Sequence, residues 1–105
     1  MMGTALSSVD VPIGKGTSAI LCLTEKELSK EATSSCIRCG KCVEACPMRL
    51  VPSLLHHAAL HHDDEAFLAD YGMDCMECGC CSYVCPANRQ LVQSIRTAKN
   101  RVRQK

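Results

Sequence analysis

Ten cysteines stand among 105 residues, and eight of them fall in two runs of identical spacing. Cys36, Cys39, Cys42 and Cys46 lead into Pro47, and Cys75, Cys78, Cys81 and Cys85 lead into Pro86. Each run reads C-x2-C-x2-C-x3-C-P, with a glycine, Gly40 or Gly79, directly after the second cysteine. Four thiolates at this spacing suit the corners of a 4Fe–4S cubane. Three cysteines two residues apart let one tight loop wrap three irons, while the fourth is expected to start a helix and point elsewhere. Where two such runs share a domain, the fourth cysteine of each serves the other's cluster. The expected ligand sets are therefore Cys36, Cys39, Cys42 and Cys85 for one cluster, and Cys75, Cys78, Cys81 and Cys46 for the other. Such crossing prevents either half from folding around its cluster alone, and it keeps the clusters close enough for electrons to hop.

The residues around the ligands support this chemistry. Gly40 and Gly79 allow φ > 0 and close backbone approach, so that N–H groups reach thiolate and sulfide and tune the potential. Pro47 and Pro86 lack an N–H and end each loop. Ile37, Val43, Met76 and Val84 are expected to shield the clusters from water. Two alternatives use the same cysteines. Cys36 and Cys39 with Cys75 and Cys78 make a four-thiolate zinc ribbon, which leaves half of the eight unused. A thiol enzyme built on the surplus Cys80 is the other, although Cys80 is read first as a non-ligand on the outer side of its loop. Cys22, in an apolar run, reads as a buried thiol. His56, His57, His61 and His62 read as solvated side chains, with no cysteine or carboxylate arranged to complete a separate metal site. Gly14-Lys15-Gly16-Thr17 lacks both the earlier glycine and the hydroxyl residue directly after lysine that a phosphate loop requires.

These loops need helices to hold them. Val51 to Ala69 reads as helix, with Pro52 in the first turn, a stripe of Leu54, Leu55, Ala58 and Ala59, and a second start at Asp63 or Asp64 running to about Gly72. Leu91, Ile95, Ala98 and Val102 recur at helical spacing behind Asn88 as N-cap. Arg89, Arg96, Lys99 and Arg103 are expected mostly on the outer side, as a solvated face or a docking stripe for an acidic partner. Upstream, Ala19 to Leu23 is expected as a short buried strand, and Thr24 with Glu27 as a capping box opening a helix to about Thr33. Residues 1–18 read as irregular. The expected fold is mostly α: a helical ferredoxin-type domain at 24–105, binding two 4Fe–4S clusters, behind a short irregular or β extension at 1–23 that forms the tail of a preceding domain.

Composition narrows the function classes. A net charge of +1 and only three aromatic residues argue against nucleic-acid binding. The run Ala19–Leu23 is too short to cross a bilayer. No secretory signal is read at the N-terminus, so the cysteines are placed in a reducing compartment, as metal ligands rather than disulfides. The loose myristoylation match at Met2–Ser7 is read as chance.

With these motifs in view, the chain resembles the RnfC (RsxC) family, the C subunit of the Rnf electron transport complex. The resemblance rests on Cys36 to Leu54, Cys75 to Pro86, Leu91-Val92-Gln93 through Ala98-Lys99, and the leading Met1-Met2-Gly3 and Asp10 to Thr17. It implies a peripheral subunit on the cytoplasmic side of the cell membrane. The complex it implies couples electron transfer between ferredoxin and NAD to sodium or proton translocation. The implied partners are other subunits of that complex and a redox protein or flavin donor or acceptor. It further implies an FMN- and NADH-binding region upstream, outside these residues, so that the chain is expected to be an excised domain with Met1 an internal residue. An iron-sulfur subunit of a glycolate oxidase or heterodisulfide reductase is the alternative within the redox class.

Overall fold

The computed structural model describes residues 5, 6, 8–28 and 31–105. Regular structure among them is helical: α1 (Lys41–Ala45), α2 (Pro52–Leu60), α3 (Asp64–Ala69), a 3-10 turn (Gly72–Asp74), α4 (Cys80–Val84) and α5 (Leu91–Gln104). The cysteine repeat is a repeat of the fold. Helices α1 and α2 each begin 39 residues before α4 and α5. The backbone repeats with them: Arg38 and Glu77 (φ 55 and 58), Gly40 and Gly79 (77 and 83), and Arg49 and Asn88 (56 and 53) are paired left-handed positions. Helix α3 and the 3-10 turn are inserted between the halves. α1 packs against α4 and α2 against α5, so like elements pair across the repeat.

Leu50, Leu55, Ala58, Ala59, Phe67, Ile95 and Ala98 form the core, with Cys46 and Cys75 packed against its edge. Burying side chains of this size stabilises by roughly 1.5–3 kcal/mol each for the larger ones, and the fully buried ones of that size are Phe67, Leu55 and Ile95. Phe67 closes the core from α3 over Gly72, where a Cβ would stand 2.5 Å from the ring. Pro52 opens α2, and the Asp63 carboxylate caps α3 by accepting from Ala66 N–H at 3.0 Å. Both were anticipated from the sequence.

Several expectations fail. Ala19–Leu23 is not a strand: it has no regular structure, Leu21 is 77% exposed, and Cys22 is exposed rather than buried. Half of the Thr24–Glu27 box forms: Thr24 N–H donates to Glu27 Oε2 at 2.9 Å, but Thr24 Oγ1 donates to the same oxygen instead of accepting from Glu27 N–H, and these two bonds lower the Glu27 carboxyl's pKa. Only a turn follows over the described residues to 28, because Leu23 and Leu28 find nothing to pack against. Residues 29 and 30 of that expected helix, and most of the Met2–Ser7 match, lie outside the described residues. Asn88 does not cap α5. Gln90 precedes the first turn, and Asn88 sits in the left-handed region with its amide on Glu31 at 2.9 Å. Of the C-terminal basic stripe only Arg103 is exposed. Lys99 is 5% exposed, Arg96 and Lys99 pair with Glu77 at 2.8 and 3.3 Å, and Arg101 and Lys105 pair with Asp64. Those pairs hold the Asp64 carboxyl down at about 2.

Candidate metal centre

Each cysteine loop is shaped by its backbone. Gly40 and Gly79 sit in the left-handed region as the residues before α1 and α4. At Gly40 nothing lies within 4 Å of a Cβ, so the positive φ and not crowding favours glycine there. The left-handed turns at Arg38 and Glu77 aim their N–H groups at Cys36 and Cys75 Sγ, each at 3.4 Å, and Leu50 N–H reaches Cys46 Sγ at 3.4 Å. Three cysteine sulfurs thus accept backbone hydrogen bonds.

The fourth cysteines do not start helices as expected. Cys46 and Cys85 are the C-caps of α1 and α4, with φ, ψ of −72, 116 and −68, 115. The following proline bars them from helical geometry and turns the chain outward. This swings each thiol away from its own loop. A cavity of about 540 Å³ is lined by Cys36, Cys39, Cys42 and Cys85. A narrow cleft of about 20 Å³ is lined by Cys46, Cys75, Cys78 and Cys81. The structure therefore groups the eight thiols three and one, twice. Cys36 and Cys39 line the larger cavity, and Cys75 and Cys78 line the cleft. Among the described residues no three Cys, His, Asp or Glu side chains converge as a single metal ion requires.

Long-range hydrogen bonds bring Cys85 to the first loop. Ser34 N–H donates to Ala87 C=O at 2.9 Å, Thr33 Oγ1 donates to Asn88 C=O at 3.1 Å, and Arg89 Nη1 donates to Ser34 C=O at 3.0 Å. The extended segment entering the first motif is thereby laid on the segment leaving the second. Around the other set, Lys99 Nζ donates to Cys75 C=O at 2.6 Å and also holds Glu77, which lies between Cys75 and Cys78. Ile37 lines the first cavity and Met76 the second, as expected of shielding residues, whereas Val43 and Val84 line neither.

The two surroundings differ. The cleft of Cys46, Cys75, Cys78 and Cys81 is walled by Leu50, Leu55, Met76, Val92 and Ile95, and burial pushes the Cys81 thiol up to about 11 and raises that of Cys75. Turning such thiols into ligands takes the charge of a bound metal. Cys80 lines neither cavity, and its hydrogen bond with Cys78 raises its thiol, which makes it a poor nucleophile.

The larger cavity carries a polar wall that the sequence did not announce. His56 is not solvated: it is 8% exposed and ties α2 to α5. A guanidinium only donates, so Arg89 Nη2 at 2.9 Å makes His56 Nε2 the acceptor. The ring proton therefore sits on Nδ1 and donates to Ser94 Oγ at 2.5 Å, and Ser94 donates on to Leu91 C=O at 2.8 Å. Burial first, then Arg89 and His57, lower the His56 pKa and keep it neutral. Arg89 lines the cavity with Cys36, Cys39, Cys42 and Cys85, and its Nε is buried with no hydrogen-bond partner. The donor set is soft sulfur beside a fixed cation, which fits an anionic iron-sulfur group.

Residues 35–89 match the family model of the 4Fe-4S dicluster domain. The chain belongs to that family. This dicluster chain is also homologous to the C subunits of ion-translocating oxidoreductase complexes. It is 50% identical over 97% of its length to the C subunit of the Na(+)-translocating ferredoxin:NAD(+) oxidoreductase complex of Acetobacterium woodii, and it covers 23% of that protein. Against the C subunit of the ion-translocating oxidoreductase complex of Rhodobacter capsulatus the identity is 47% over 97% of the chain and 20% of that protein. Against the C subunit of the proton-translocating ferredoxin:NAD(+) oxidoreductase complex of Clostridium ljungdahlii it is 56% over 52% of the chain and 12% of that protein. The dicluster chain thus spans less than a quarter of the length of these relatives. Among its described residues no helix is long and apolar enough to cross a membrane.

Proposed function

We propose that this chain relays single electrons through two 4Fe–4S clusters, one held by Cys36, Cys39, Cys42 and Cys85 and the other by Cys75, Cys78, Cys81 and Cys46. The observation that carries the reading is the sorting of eight thiols into two cavities, each lined by three cysteines of one motif and the fourth of the other. The larger cavity has room for a cubane. The narrow cleft of about 20 Å³ is too small for a cubane as it stands, so a cluster held by Cys46, Cys75, Cys78 and Cys81 would require the Cys75–Cys81 loop and Cys46 to part, at a cost that ligation would offset. The clusters supply the redox chemistry. The chain supplies ligands, N–H donors, apolar cover and the crossed geometry that sets the clusters side by side. Gly40, Gly79, Pro47 and Pro86 shape the two loops.

The kinship with C subunits supports a place within an ion-translocating ferredoxin/NAD oxidoreductase of Rnf type, where this chain is an electron-transfer part with no substrate site of its own. Its partners are then the other subunits and a flavin or redox-protein donor or acceptor, at the cytoplasmic face of the membrane. FMN and NADH belong to a region upstream. Residues 24–105 form the cluster-binding unit and 1–23 its connection to that region.

The test is anaerobic expression of the chain, with assay of iron and acid-labile sulfide and reduced-state EPR. About eight irons per chain with a spin-coupled low-temperature signal is expected for two adjacent clusters. Zinc without sulfide would overturn the reading.

A further inference from the structure

We infer that Arg89 sets the reduction potential of one cluster and not the other, through a guanidinium held over the cavity of Cys36, Cys39, Cys42 and Cys85. The inference rests on the cluster reading above. Arg89 is anchored on two sides: Nη1 donates to Ser34 C=O at 3.0 Å and Nη2 to His56 Nε2 at 2.9 Å. His56 is itself fixed by Ser94, which is fixed by Leu91 C=O, so the guanidinium has little freedom. Arg89 also lines the cavity with Cys36, Cys39, Cys42 and Cys85, so its charge is held beside that ligand set.

The physical consequence has a sign. One-electron reduction adds one negative charge to the cavity, and a fixed positive charge favours that form over the oxidised one. Arg89 therefore raises the potential on its side. Among the described residues no Arg, Lys or His lines the other cleft. Near its loop Arg96 and Lys99 share the one carboxylate of Glu77, and Lys99 Nζ donates to Cys75 C=O at 2.6 Å, so a net positive charge stands there that a change at Arg89 leaves in place. His56 and Ser94 act only through Arg89, as positioning residues. Exposed Arg38, on the rim of the same cavity, is screened by water and has a smaller effect.

The experiment uses the full chain, reconstituted anaerobically, with iron and sulfide measured before an EPR-monitored titration against dithionite. Arg89→Met is expected to lower the equilibrium constant for reducing one cluster by about tenfold, or about 59 mV for a one-electron couple, and to leave the other unchanged. Arg89→Lys, which keeps the charge and loses the two anchoring hydrogen bonds, falls between; it carries the test if the Met variant does not retain iron. His56→Phe, which frees the guanidinium, shifts the same cluster in the same direction. With iron and sulfide at wild-type levels, an unmoved pair of potentials, or an equal shift of both, would overturn the role of Arg89 while leaving the clusters in place. A wild-type chain without iron and sulfide would overturn the cluster reading, and this inference with it.

Discussion

Replacing Cys46 by serine separates crossed from uncrossed ligation, because Cys46 belongs in sequence to the first motif and in space to the second. It lines the cleft of Cys75, Cys78 and Cys81, its sulfur accepts from Leu50 N–H at 3.4 Å, and it packs against the core at the end of α1. Cys46→Ser removes one of four ligands from that set and none from the set of Cys36, Cys39, Cys42 and Cys85. Iron is expected to fall from about eight to about four per chain, with the spin-coupled signal replaced by that of an isolated cluster. Paired variants give the sharper measurement. Cys46→Ser with Cys75→Ser damages one cluster twice, so iron stays at about four. Cys46→Ser with Cys36→Ser damages both, so iron falls towards zero. This is the logic of a mutant cycle applied to stoichiometry, with coupling expected only inside a ligand set. If the first double variant loses all iron and the second keeps half, ligation is uncrossed and the reasoning from the cavities fails.

Three further outcomes follow from the packing. Phe67→Ala, at a position with 0% exposure, should lower the unfolding free energy by about 3–5 kcal/mol, read from denaturant midpoints. Gly72→Ala should cost about 1–3 kcal/mol in the same assay, since its Cβ would meet the Phe67 ring at 2.5 Å; in a Phe67→Ala background that cost should vanish. His56 has a folded pKa below its ordinary value of 6.5, so the unfolded chain binds its proton more readily. The stability from neutral His56 is complete above about pH 6.5 and is lost as pH falls below it. The urea midpoint should therefore drop between about pH 7.5 and about pH 5.5 in the wild type and drop less in His56→Gln, an equal drop in both counting against the neutral ring.

The helical stripes of α2 and α5, the Asp63 cap and the proline start of α2 were legible because each is a local pattern: one turn of helix brings its own residues together. The strand at Ala19–Leu23 was misread because an apolar run is also what a segment without a packing partner looks like, and nothing in the run itself says which. His56 was misread for a different reason. Its partners Ser94 and Arg89 lie more than 30 residues away, so nothing near it announces burial. A signal did exist: the 39-residue repeat sets His56 opposite Ile95, which is 1% exposed. Carrying the repeat past the cysteines would have placed the histidine at a core position.

The cysteine spacing by itself pointed to iron-sulfur chemistry, which the dicluster family match bears out, and to the left-handed turns at Gly40 and Gly79, because loop geometry over three or four residues is a property of the local chain. Tertiary structure alone decided what surrounds each set. The pairing of α1 with α4 and α2 with α5 brings the fourth thiol of each motif to the other's cavity. It leaves Arg89 and His56 beside one and an apolar wall beside the other. Those neighbours are drawn together from both halves of the chain, and their electrostatic effect depends on distance and burial, which only the fold sets.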